Sequence, residues 1–442
     1  MASTARSRDG APEGDDLELE LEPRELIRRS DLVMRTGNLM LGAGTSSLRV
    51  RQAMQRTATR LGLGRMQAQI TFTTIIATVY RDGIFRTQVG EVTTPAVNAD
   101  RIRQIQTLTR HLPADTTPAT LAASLDDIEK APPLHPRWLV TLAVGLACVS
   151  VGFLNQGSWR ELLAVSPAAM LAFLGYRRLL GWRLNLFGAV VGATLIGCGL
   201  FLAFTLLLQG SDLSSHPRVV AGFVAVTIFL VPGFPLFTGA LDLARLDLQA
   251  GIGRMVYAGV VMLSISIGAW VVATMAGIAP YPVPPLSGPP MLIWGLRVVA
   301  SFLAVFGWAL MFNSPWRESA ASGLIAVAGS LAKLVLVDLD VTEHIATFVG
   351  ALVIGVACHG VARWLGLTRL IMLVPTLLVM IPGSPAVQTL LHFNNGDILT
   401  ALTTGINVVL QVLAMVCGLV ASMMVLDPGW AFTNDDQRSQ RS

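Results

Sequence analysis

Between Trp138 and Val425 the chain offers ten apolar stretches long enough to cross a lipid bilayer, and little else. A helix needs about 20 apolar residues to span the hydrocarbon core. Lipid supplies no partners for backbone N–H and C=O groups, so stretches of this kind must be helical. They run approximately over 138–155, 160–176, 184–208, 219–241, 255–278, 291–312, 318–337, 344–362, 370–391 and 399–425. Polar or turn-forming strings separate them, among them "QGSDLSSHPR", "APYPVPPLSGPP", "NSPWRE", "DLDVTEH" and "HFNNGD", and "SPAAM" interrupts the second stretch. The chain is 53% hydrophobic and 14% charged with mean hydropathy +0.60, whereas soluble domains are about one-quarter charged.

The charge that remains is concentrated at the N-terminus. Residues 1–136 hold 17 Lys/Arg and 16 Asp/Glu, against 13 and 9 in residues 137–426. A soluble N-terminal third followed by a membrane-embedded remainder is the simplest organisation. The net charge of +4 without a Lys/Arg-rich block argues against a nucleic-acid partner. No secretory signal peptide is visible. Cys148, Cys198, Cys358 and Cys417 all sit in apolar runs without metal-ligand or redox spacing, so they are expected to be reduced packing residues. No cofactor or metal is implied.

Residues 1–22 alternate acid and leucine and are expected to be a disordered tail. Residues 23–134 form an expected small α+β module. "PRELIRRSDLVMRTGNLMLGAG" and "TSSLRVRQAMQRTATRLGLG" carry helical periodicity stopped by glycines. "QAQITFTTIIATVYRDGIFRTQV" is β-rich and split by an Asp-Gly hairpin signal at Asp82-Gly83. Two more helices follow, the first capped by Asn98. His111 stands alone beside a helix end, and no nucleophile–base set accompanies it, so an enzyme is not expected.

Lysine and arginine in short loops mark the cytoplasmic side. With the N-terminal module in the cytoplasm, inward loops hold Arg137, Arg177, Arg178, Arg183, Arg245, Arg254, Arg317, Arg363 and Arg369. Outward loops hold only Arg160 and Arg218, and the 279–290 loop has no charge. Both termini, including a short tail at 427–442, are therefore expected inside.

"FLVPGFP" at 229–235 returns as "VMIPGSP" at 379–385, with Pro232 and Pro382 separated by 150 residues. These strings fall on the fourth and ninth helices, five crossings apart. An odd number of crossings per half gives two oppositely directed halves, 135–280 and 281–426, the sequence form of an inverted repeat. Proline removes a donor and clashes one turn back, and glycine lets the backbone turn away. Freed backbone groups at membrane depth persist only where protein or a wet cavity supplies partners. Two readings stay open, a packing kink and a substrate-lining break. The substrate-lining candidates are Pro232, Gly233, Pro235, Thr238, Pro382, Gly383, Pro385, Gln388 and Asn407.

Ionisable groups at membrane depth are functional candidates by default. Asp242 is placed near the cytoplasmic end, where it could pair with Arg245 or serve gating or proton coupling, and His359 is a second such candidate. Arg297 and Lys333 lie near outer helix ends, where they either snorkel or contact an anion.

"GNLMLGAGTSSLRVRQAMQRTATRLGL", "ITFTTIIATV", and the helices bearing "VPGFPLFTGALDL" and "IPGSPAVQTLLHF" together resemble the threonine/serine exporter family over about residues 26–425. The resemblance implies a cytoplasmic module fused to ten helices, exporting threonine and serine at the expense of the proton motive force. A related two-polypeptide branch is associated with succinate. The implied partners are a small amino-acid or carboxylate substrate, protons and the lipid bilayer, with self-association left open, and the implied location is a bacterial inner membrane. The alternatives are a dicarboxylate exporter using Arg297 and Lys333, and a membrane-anchored enzyme or sensor.

Overall fold

The structure is a computed structural model and describes residues 24–92, 96–209, 219–278 and 286–426. The expected tails, Arg218 and most of the 279–290 loop lie outside these residues. The chain divides into two compact units, the second of which takes Val97–Asp100 together with everything from Pro132 onward.

The first unit contains helices α1 (Arg24–Gly42), α2 (Ser47–Arg60), α3 (Ala99–Arg110) and α4 (Pro118–Lys130). Strands β1 (Met66–Ile70), β2 (Thr74–Arg81) and β3 (Ile84–Glu91) form an antiparallel sheet in the order β1-β2-β3. The expected single split at Asp82-Gly83 is present: both residues have positive φ (50° and 84°), as a two-residue hairpin loop requires. A further break at 71–73 makes a third strand of the segment's start. Ile75, Ala77 and Val79 on one face of β2 are buried with Val33 and Met54, as period-two alternation dictates. Gly37 allows that approach, since a methyl there would stand 2.6 Å from Met54 Sδ. Arg35 ties α1 to α4 through Asp126 and Glu129, both at 2.5 Å, and holds the Asp126 carboxyl below its ordinary range.

The second unit is helical. Its elements are α5 (Arg137–Leu154), α6 (Trp159–Gly181), α7 (Leu186–Gln209), α8 (Val219–Thr227), α9 (Gly233–Ala244), α10 (Leu248–Met275), α11 (Pro290–Met311), α12 (Trp316–Asp338), α13 (Glu343–Leu365), α14 (Arg369–Leu378), α15 (Gly383–Asn394) and α16 (Ile398–Leu426). Among the described residues, eight helices are long and apolar enough to cross a membrane, or up to ten spans when each bent pair, α8–α9 and α14–α15, counts as one. The second span is continuous through Pro167, despite the "SPAAM" interruption. Three cysteines pack inside as expected, whereas Cys417 is exposed, because it lies on an outward face of α16.

Equivalent elements recur at fixed spacing. Helices α6 and α12 begin at Trp159 and Trp316, and α7 and α13 at Leu186 and Glu343, each pair 157 residues apart. The starts of α8 and α14, α9 and α15, and α10 and α16 are each 150 residues apart. Packing recurs with them. Helix α8 packs on α5, α6 and α7 as α14 packs on α11, α12 and α13, while α7 meets α10 as α13 meets α16. Single residues keep the same register: Gly329 approaches Ile354, and their equivalents Ala172 and Gly197 also meet.

Candidate functional site

Both Pro-Gly-X-Pro strings break a helix by the same backbone device. The chain leaves α8 through a 3-10 turn, Ile228–Leu230, in which Val231 N–H donates to Ile228 C=O at 3.1 Å. At the second break Met380 N–H donates to Leu377 C=O at 3.0 Å. Pro232 (φ −80°, ψ 63°) and Pro382 (φ −75°, ψ 69°) then adopt nearly one conformation, that of an inverse γ-turn. It is closed at 2.8 Å from Gly233 N–H to Val231 C=O and from Gly383 N–H to Ile381 C=O. A new helix starts at each glycine. Pro235 and Pro385 fall in its first turn, where a missing N–H leaves no helical bond unmade. The axes bend by 72° and 41°.

The two breaks are neighbours. A methyl group on Gly233 would stand 2.4 Å from Leu378 Cδ2 at the end of α14, and one on Gly383 would stand 2.5 Å from Val224 Cγ1 in α8. Each restarted helix is therefore seated on the first segment of the other broken pair, an approach that only glycine permits. Helices α9 and α15 both begin here, and the first-turn N–H groups of a helix lack carbonyl partners within it and carry the positive end of its dipole.

The sequence candidates divide around this junction. Pro232, Pro235, Gly383, Pro385 and Gln388 are partly buried at or just beyond the breaks, while Gly233 and Pro382 are buried. Thr238 is buried, and its hydroxyl donates to Phe234 C=O at 2.6 Å, so its proton is already committed to the backbone. Asn407 lies partly buried on α16, one turn before the buried Gln411. His359 Nδ1 faces Arg369 Nη1 at 3.4 Å. The Arg297 guanidinium is engaged by Asp338 at 2.8 Å and lies over Trp294 at 4.7 Å from the ring centroid. Lys333 is partly buried, with Glu343 in electrostatic reach.

Asp242 lies in the last turn of α9, is 1% exposed, and forms a 2.8 Å ion pair with Arg254, itself 2% exposed. The reason is local. Helix α9 ends in a tight reversal, with Asp247 N–H donating to Asp242 C=O and Leu246 N–H to Leu243 C=O, both at 2.9 Å, and with Leu246 left-handed at φ 62°. These are the bonds of a Schellman ending. Helix α10 starts at once, at Leu248 rather than near 255, and runs back beside α9. Gly239 and Gly251 let the two helices close, since methyls there would press on Arg254 Cβ (2.9 Å) and Leu243 Cγ (2.6 Å). Arg254, expected in an inward loop, is thereby carried inside. It is the functional candidate that reading the sequence missed.

A second missed signal is plain in hindsight: "WRE" at 159–161 recurs at 316–318, opening α6 and α12. Glu161 and Glu318 are both buried in the first helical turn.

Residues 31–276 match the family model described as a putative threonine/serine exporter, and residues 297–425 match a second, threonine/serine exporter ThrE. The chain belongs to the threonine/serine exporter family. Among its relatives is the threonine/serine exporter of Corynebacterium glutamicum, 24% identical over 407 residues, covering 85% of this chain and 79% of that protein. A probable threonine/serine exporter of Mycobacterium tuberculosis is 26% identical over 409 residues, covering 86% and 72%. The probable succinate transporter subunit YjjP of Escherichia coli is 26% identical over 267 residues, covering 59% of this chain and 98% of the subunit. No solved structure matches. The family is one of transporters rather than enzymes, and this exporter-family chain is accordingly a multi-pass membrane protein that handles a small molecule.

Proposed function

We propose that this chain is a secondary exporter of small polar metabolites, threonine and serine first, driven by the proton motive force across a bacterial inner membrane. The observation that carries the reading is the junction of the two breaks. Two half-helices begin at adjacent points, and their N-termini suit a substrate carboxylate, while carbonyls freed by the breaks suit an ammonium. The five-helix halves, 135–280 and 281–426, are inverted copies that rock about this junction, with the 23–134 module and both termini in the cytoplasm. Arginine bias in the loops supports that orientation. Pro232, Gly233, Pro235, Pro382, Gly383, Pro385, Gln388 and Asn407 line or shape the substrate path. Asp242, ion-paired with Arg254, holds α9 against α10 and serves gating.

A carboxylate substrate is the second reading, favoured by the similarity to the succinate transporter subunit. Counterflow in proteoliposomes decides between them. Vesicles loaded with unlabelled threonine, serine or succinate take up the labelled compound that the protein carries, and an imposed pH gradient changes the rate. Threonine or serine counterflow that responds to the gradient is expected. Movement of succinate alone would replace the substrate, and movement of none of the three would remove the proposed function.

A further inference from the structure

The repeat register makes the two halves comparable residue by residue, and one set of positions changes from mainly apolar and aromatic to polar. In the second half it reads Ser330, Lys333, Glu343, His344, Thr347, Asn407 and Gln411. At the same spacing the first half has Phe173, Tyr176, Leu186, Phe187, Val190, Tyr257 and Val261. The first-half set is largely aromatic: Phe173 and Tyr176 both pack on Phe229, at 5.7 and 6.4 Å between ring centroids, and Phe187 packs on Tyr257 at 6.4 Å. The second-half set is polar throughout and spans α12, α13 and α16.

The contacts of α13 with α12 and α16 set the register that relates these groups. Glu343, Thr347, Gly350 and Ile354 follow one another at helical spacing. Ile354 and Gly350 both face Gly329 of α12, so Thr347 lies on the stripe turned toward α12, one turn beyond. Lys333 is one turn from Gly329 in the antiparallel direction, and Glu343 is in its electrostatic reach. Gln411 Nε2 donates to the Glu343 carboxylate from α16. At the inner end, Gly350 abuts Met380, which belongs to the second break. Among the described residues, the hydroxyls of Ser330 (5% exposed) and Thr347 (fully buried) have no hydrogen-bond partner, nor has His344 Nδ1. A buried hydroxyl without a partner is costly, so two of them, on the helix that carries Lys333 and on α13 beside it, point to a ligand that supplies their bonds.

We propose that Lys333, Ser330 and Thr347, with Glu343 and Gln411, form a receiving site for the zwitterionic head of a small amino acid, leading to the second break and having no counterpart in the first half. The cation and hydroxyls take the carboxylate, and Glu343 takes the ammonium. The proposal rests on the exporter reading given above and gives that path one polar and one apolar arm. Under the inverted arrangement the polar arm opens on the outer side.

The test uses the full chain in detergent and in proteoliposomes, with threonine and succinate as probes. Lys333→Gln and Thr347→Val should each weaken threonine binding, read by ligand-induced thermal shift, and raise the transport KM roughly tenfold or more, the loss expected for a charge-assisted hydrogen bond. Maximal rate should change far less. Thr347→Ser should restore binding, and Tyr176→Phe at the equivalent apolar position should behave as the parent. Parent-like threonine binding in both Lys333→Gln and Thr347→Val would overturn the site. A parent protein that binds succinate through Lys333 and never threonine would overturn the zwitterion assignment. Intact binding without transport by the parent would strike the exporter reading and leave this site standing.

Discussion

At the scale of single residues, the buried charges dominate. Asp242 and Arg254 are each 2% exposed at the side chain and 2.8 Å apart. Removing one partner of a buried ion pair costs about 3–5 kcal/mol, whereas replacing both with apolar groups is often neutral. Arg254→Met should therefore lower the thermal midpoint sharply, and the double change Arg254→Met with Asp242→Leu should recover most of the loss. A double variant no more stable than the single one would show that the pair is not the main partner of either charge. Leu246 supplies a second residue-scale test. It holds φ 62° at a position where the other half has Gly396 at φ 77°, and it is 82% exposed. A non-glycine residue pays about 1–2 kcal/mol in this region, partly offset by the chain entropy glycine loses on folding. Leu246→Gly is expected to stabilise the protein by about 0.5–1 kcal/mol, measurable as a raised unfolding midpoint, and a lowered midpoint would contradict the strain argument.

At the scale of elements, the breaks were legible and their partners were not. Pro-Gly-X-Pro in an apolar run announces a broken helix, because the missing donor and the ring clash are local facts of proline. The Asp-Gly hairpin was legible for the same kind of reason. That Gly233 rests on Leu378, and Gly383 on Val224, depends on residues more than 140 positions away, which no local pattern carries. Arg254 escaped notice because hydropathy places a helix start where the apolar run begins, whereas α10 starts seven residues earlier, directly after the reversal at Leu246. The packing at the breaks makes a definite forecast. Gly233→Val should overlap Leu378 and destabilise by about 1–3 kcal/mol, and Leu378→Ala in the same chain should relieve part of it. A coupling near zero in that double-mutant cycle would separate the two breaks. The same contact means that loss of transport on enlarging either glycine does not by itself identify a substrate wall.

At the scale of the whole molecule, eight to ten candidate spans among the described residues, a recurring packing pattern and the constant spacings of 157 and 150 residues are what a duplicated five-helix unit would give. Composition made the membrane class plain, and the paired breaks suggested the duplication. The Trp-Arg-Glu echo at 159 and 316 would have strengthened it from sequence alone. The difference between the copies, polar at Lys333 and Thr347 and apolar at Tyr176 and Val190, became readable only when the structure fixed the register. If the copies are inverted, a rocking motion about the breaks exposes the junction to each side in turn. If they are parallel, that mechanism is lost. Arg160 and Arg317, equivalent and both exposed, stand one residue into α6 and α12 and report directly on the choice. With the native cysteines replaced, Arg160→Cys and Arg317→Cys are to be labelled in intact cells by a membrane-impermeant thiol reagent. Arg160→Cys is expected to be modified from outside and Arg317→Cys only after the membrane is opened. Modification of both from the same side would contradict the inverted arrangement.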